Sequence, residues 1–240
     1  MSKHIRSQNK ARTHSRVDKR LFLLGFLLLA LVASSFLALL ADINAHQATR
    51  LERRWEQSGS VPNLSQLMAA RASLEFAEQL SFDHPDYLQA LGRLSSWHFF
   101  VEGVAPSDVE TRKGLTSFRA ALTVRPYWAY GWSELLLLKA QLGEVDEEFS
   151  SAFDAVLSTG VSEPKALLNL VNAGLGSWSL LEEDQQIKTH KAFLRLLGFS
   201  NQQSRTAIAI ATQHGQKAAM CDGLDEQLVK PWVIRSCKAK

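Results

Sequence analysis

The residues of this chain that could do chemistry are scattered, with one exception. Tyr127, Trp128, Tyr130 and Trp132 fall within six residues. A helix turns about 100° per residue, so it cannot bring four rings at that spacing to one side: Trp128 and Trp132 share a face, while Tyr127 and Tyr130 point elsewhere. Such a cluster can pack between helices. Alternatively, Tyr127, Trp128 and Tyr130 can form a partly exposed surface that binds a protein segment or stacks on sugar rings. The seven histidines show no His-Glu-x-x-His or other metal spacing, so neither metal nor cofactor is expected. His98, between Trp97 and Phe99, reads as a core or rim residue. There is no Gly-x-Ser-x-Gly nucleophile elbow and no glycine-rich phosphate loop ending in Lys-Ser or Lys-Thr. Glu182-Glu183-Asp184 suits a helix start, where acids meet the positive end of the dipole. A glycosidase needs only two carboxylates far apart in sequence and leaves no local motif.

The two cysteines, Cys221 and Cys237, are 16 residues apart, too far for a Cys-x-x-Cys redox pair, and no histidine cluster accompanies them. In an oxidising compartment the expected outcome is an intramolecular disulfide that pins residues 223–240, with intermolecular pairing as the alternative.

The element that decides the compartment is Leu21 to Ala41, twenty-one residues without charge or proline. As a helix it spans roughly 31 Å, the thickness of a bilayer's hydrocarbon core. A cleaved signal is the competing reading, with Ile43-Asn44-Ala45 as its site, but the apolar part of a signal is normally shorter. Residues 1–20 carry seven Lys/Arg against Asp18 alone, a tail of +6 that cannot bury a core and is expected to stay disordered. This charge keeps the tail cytoplasmic and sends the rest across. Residues 42–240 carry 20 Lys/Arg against 23 acids, so the domain is mildly acidic and gives no support to nucleic-acid binding. Within the anchor, Ala30, Ser34 and Ala38 recur every fourth residue, a small-residue face on which two copies could pair.

Beyond the anchor the chain reads as all-α. Ala41, Ala45, Ala48, Leu51 and Trp55 mark a helical stalk, and with the Ser58-Gly59-Ser60-Val61-Pro62 linker it occupies residues 42–62. The domain begins at Asn63, an N-cap, and runs to 222. Helices are expected over about 64–80, from Pro85, over about 107–122, from Pro126 to Leu142, around Phe149–Leu157, from Pro164, and over about 183–197 and 202–220. Prolines at 85, 126 and 164 are 41 and 38 residues apart, which makes a helix pair of roughly 40 residues the repeating unit. Phe118, Ala121, Pro126, Trp132, Leu135 and Gly143 match the tetratricopeptide pattern at one repeat boundary. The expected architecture is a single transmembrane helix followed by a short, irregular tetratricopeptide-like solenoid of helical hairpins.

Arg125-Pro126-Tyr127-Trp128-Ala129-Tyr130-Gly131-Trp132, with Lys139-Ala140, Gly143, Phe149, Gly160, Glu163-Pro164 and Gly174-Leu175-Gly176-Ser177-Trp178, resembles the VpsP-type polysaccharide-biosynthesis proteins over most of residues 21–200. The resemblance implies a pathway rather than a chemistry: envelope polysaccharide production or export, with the anchor in a bacterial inner membrane and the domain in the periplasm. Two functions follow as expectations. One is a non-catalytic adaptor that holds a protein of the polysaccharide assembly machinery; the other is a protein that binds or processes glycan directly.

Overall fold

The computed structural model describes the backbone of residues 2–81, 83–101, 108–224 and 230–238, and side chains from Lys19 onward except Arg20 and Asp108. Among these residues every regular element is helical. The first, α1 (Ser2–Ser58), is one unbroken helix of 57 residues. Its segment from Leu21 is long and apolar enough to cross a bilayer, with a mean hydropathy of 2.6. The backbone of residues 2–20 is helical, against the expected disorder. That stretch has no Gly or Pro, and a helix already nucleated by the apolar run extends through it without a new nucleation cost.

The far end of α1 corrects a second expectation. Residues 42–58 continue α1 as the expected helix before the linker, but they pack against the domain instead of standing free of it. Ala41, Ala45, Ala48 and Trp55 are buried in one core with Leu67, Ala70, Leu74 and Ala77 of α2 (Leu64–Leu80) and Tyr87, Ala90, Leu91 and Leu94 of α3 (Pro85–Trp97). The alanine stripe read as a stalk face is a packing face, because small side chains let the α2 backbone come close. Trp55 meets Trp97 edge to face, with centroids 5.7 Å apart. The Tyr87 hydroxyl donates to Asp42, the first residue after the apolar run. Asn63 and Gln66 start α2 with reciprocal hydrogen bonds, Gln66 N to Asn63 Oδ1 at 2.9 Å and Asn63 N to Gln66 Oε1 at 3.1 Å.

The remaining helices are α4 (Asp108–Val124), α5 (Ala129–Leu142), α6 (Glu147–Thr159), α7 (Pro164–Gly176), α8 (Glu183–Phe199), α9 (Asn201–Gln213), α10 (Lys217–Cys221) and α11 (Pro231–Lys238). Short 3₁₀ turns follow α3 at His98–Phe100 and α7 at Trp178–Leu180. Each of α1, α3, α5 and α7 is paired with the even helix that follows it, and the odd helices pack on one another as an inner row from α1 to α9. Where α3 meets α4 the backbones approach closely. A Cβ at Gly92 would run into the Phe118 ring, and one at Gly114 would lie 2.6 Å from the Ser95 Cβ. Phe118, Ala121 and Leu135 are fully buried, and Gly143 ends α5 at φ 72°, where an L side chain would be strained.

Two other expectations change. Pro126 does not open α5. Residues 125–128 form a turn, with Trp128 N bonded to Arg125 O at 3.2 Å, and the helix starts at Ala129. The expected helix over 202–220 is broken after Gln213, where Gly215 takes φ 69° and α10 restarts at Lys217. The expected break at Gly103–Pro106 lies outside the described residues. At the C-terminus, Cys221 and Cys237 lie at disulfide distance, with sulfurs 2.03 Å and Cα atoms 5.8 Å apart, and Val233 is buried against the last helices.

Candidate functional site

The aromatic run sits where the chain passes from α4 to α5, and it is fastened at both ends. Trp132 Nε1 donates to Pro126 O at 2.7 Å, which closes the turn from the helix side. Arg125 forks onto Asp86 at the start of α3, at 2.7 and 3.2 Å, which closes it from the other side. The Arg125 guanidinium also lies 5.1 Å from the Trp128 ring centroid, and Trp128 meets Tyr130 edge to face at 6.0 Å. Trp132 is therefore a half-buried clasp that packs on the core from one side rather than filling the hairpin interior. Tyr127, at the tip, is 85 % exposed. Trp128 and Tyr130 are half-buried.

Tyr130 leads into a buried polar lattice that crosses the inner row. Lys165 of α7 stands 4.6 Å over its ring. Burial pushes the Tyr130 hydroxyl above its ordinary value, and the neighbouring Glu134 carboxylate adds to this. Burial likewise raises Glu134, opposed by Arg93. Arg93 of α3 gives two hydrogen bonds to Glu52 of α1, at 2.8 and 3.0 Å. Burial works against its charge, but the Glu52 carboxylate wins and holds the guanidinium above its ordinary value. Asn169 of α7 donates to Ser133 Oγ at 3.1 Å and Glu134 Oε1 at 3.4 Å. The two carboxylates flanking Arg93 resemble an acid and base pair in type. Their hydrogen bonds instead join α1 to α3 and α5 to α7, with the attraction between Arg93 and Glu134 acting across the two pairs, and the cavity described next is lined by other residues.

Further along the inner row lies a cavity of about 350 Å³ lined by Phe99, Phe100, Leu137, Gln141, Asn172 and His214, among others. His214 Nε2 is 2.8 Å from Asn172 Oδ1, and burial lowers the histidine's pKa. Gln141 Oε1 is buried without a partner. Rings and planar amides without a charged lining suit an uncharged polar ligand. Sequence reading missed this cavity because its residues come from four segments. The only local trace is Leu137-Gln141 and Asn172-Gly176 at the one-turn spacing that shares a helix face.

The other chemistry-bearing residues serve the fold. His98 is buried, and burial lowers its pKa. Glu182 N-caps α8, with its backbone N bonded to Gln185 Oε1 at 3.2 Å. Among the described residues no three His, Cys, Asp or Glu side chains come together as a metal site. Ala30, Ser34 and Ala38 lie along the span, where the Ser34 hydroxyl donates to Leu31 O at 2.9 Å. Compared with protein-family models, with curated proteins and with solved structures, the chain finds no match.

Proposed function

We propose that this protein is a non-catalytic, membrane-anchored adaptor of envelope polysaccharide biosynthesis or export. In this reading α1 crosses the bacterial inner membrane with its basic end in the cytoplasm. The helical hairpins, taken as tetratricopeptide-like repeats, stand in the periplasm and hold a protein of the assembly machinery. The observation that carries it is the turn at Tyr127. An aromatic ring 85 % exposed to water, on a turn tied by hydrogen bonds on both sides, is presented for contact with a partner, and tyrosine is enriched among binding hot spots. The ionisable groups nearby are spent on holding helices together, which supports a role in binding rather than catalysis. The +6 tail next to the apolar run supports the orientation, and the VpsP-type resemblance supports the pathway. The 350 Å³ cavity of rings and amides favours a second reading, direct glycan binding.

A photo-crosslinking residue in place of Tyr127, in the full-length protein in cells, separates the two. The adaptor reading expects a crosslinked protein band that disappears from cells lacking the polysaccharide genes, and weaker capture by Tyr127→Ala with an unchanged melting curve. A sugar-bearing product would favour the second reading, and no crosslink above background would remove the adaptor reading.

A further inference from the structure

A different cavity lies where α1 meets the start of α3. It measures about 440 Å³ and is lined by Asp42, Ile43, His46 and Thr49 of α1 and by His84 and Tyr87, among others. Its height is set by the helix itself. Asp42 directly follows the apolar run on an unbroken helix. The eight residues from Asp42 to Thr49 therefore rise through roughly the next 10 Å, a distance that starts in the headgroup layer, about 5–7 Å deep on each side of a bilayer.

The lining is selective. Of its two carboxylates, Asp86 is matched by the Arg125 fork, whereas Asp42 meets the neutral phenol of Tyr87. Asp42 is thus the carboxylate left to meet a cation. Beside it the half-buried His84 ring stacks on the buried Tyr87 ring with centroids 4.1 Å apart at 25°, which gives the carboxylate a flat, uncharged neighbour. Arg50 Nε donates to His46 Nε2 at 2.9 Å, which leaves the ring proton on Nδ1 as a donor for an anionic oxygen. Ile43, 45 % exposed, offers apolar surface on the membrane side. A cation, an anion and an adjoining apolar part, at headgroup height, describe a zwitterionic phospholipid.

We propose that this cavity binds the headgroup of an ethanolamine phospholipid, with its ammonium on Asp42 and its phosphate at His46. The proposal rests on α1 crossing the membrane. Ethanolamine is favoured over choline because only its ammonium carries N–H donors for the Asp42 carboxylate.

The test uses full-length protein in nanodiscs that contain equal parts of ethanolamine, choline and glycerol phospholipids, followed by native mass spectrometry of the lipid that stays bound. Wild type should retain one ethanolamine phospholipid with about a tenfold preference over each of the others, the size of one charge-assisted hydrogen bond. Asp42→Asn, on an exposed position, should lose that preference while its helical circular dichroism stays the same. Equal retention of the three lipids by wild type, or an unchanged preference in Asp42→Asn, would overturn the proposal. So would displacement of the bound lipid by soluble phosphoethanolamine at the same concentration, which would assign the cavity to a free solute. Alkaline carbonate extraction keeps the two levels apart: release of the protein from membranes would defeat the anchored reading itself, whereas an integral protein without lipid preference would defeat this assignment alone.

Discussion

Lys139 of α5 has a side chain only 1 % exposed, and its ammonium group touches Glu144 at 3.2 Å, Asp146 at 2.8 Å and Glu148 at 2.9 Å. Burial opposes its charge, but hydrogen bonds to the three acids hold its pKa above the ordinary value. Glu148 also takes a fork from Arg119, and the Arg119 and Lys139 contacts draw it down to about 2. A folded-state value below the unfolded one stabilises the fold at pH above the ordinary 4.5. That contribution is lost as the pH falls from there through about 2. Lys139→Met keeps the buried stem but leaves the acids without their shared cation. Since the acids are partly exposed, the cost at neutral pH should be about 2 kcal/mol rather than the 3–5 of a fully buried pair. Urea unfolding at pH 7 and pH 3 measures this: the gap between wild type and variant should narrow at pH 3. A gap that stayed constant would mean that the cluster does not titrate with folding.

At the scale of elements, the least supported part of the domain is its end. Helix α11 has eight residues, and besides the buried Val233 it is held by Trp232 beneath Arg205, at 5.5 Å, while Lys230 just before it bonds Asn201 at 3.0 Å. A bond between Cys221 and Cys237 closes the intervening loop and should stabilise by about 3 kcal/mol on chain-entropy grounds. Denatured, unreduced protein should show no thiol that reacts with maleimide and two after reduction, and Cys221→Ser should make residues 222–240 the first site of proteolysis. Two reactive thiols without reduction would refute the bond.

Much of the helix order was legible because local signals sit where they act. Pro85 and Pro164 open α3 and α7, Gly143 and Gly160 cap α5 and α6, and Asn63 starts α2. Pro126 misled because a fixed proline φ suits the first turn of a helix and the second position of a turn equally well. The alanine stripe after the anchor misled because a small-residue face looks the same whether it is bare or packed. The lattice was invisible, since Glu52 and Arg93 are 41 residues apart and neither neighbourhood announces the other. The aromatic run was visible as a cluster, packed or partly exposed, but which ring stands outside was not, because the hydrogen bond from Trp132 to Pro126 shapes the turn.

For the whole molecule, the orientation of the anchor governs everything else. A reporter that folds only in the periplasm, fused after Lys240, should be active, and one that works only in the cytoplasm should be silent there. The reverse pattern would overturn both the proposed compartment and the adaptor reading.

The contact between Tyr87 and Asp42 has a mechanical meaning in that setting. A domain on a free stalk would sweep a volume, and its partner could be met anywhere within that radius. Here the first turn beyond the apolar run is already part of the folded body, so the tether has no slack. With α1 in a bilayer as proposed, the domain would drift across it as a raft with fixed draught, and its search would be two-dimensional. A partner embedded in the same membrane is met at a high effective concentration without needing a tight intrinsic affinity. A soluble partner must come down to the lipid surface to be met at all.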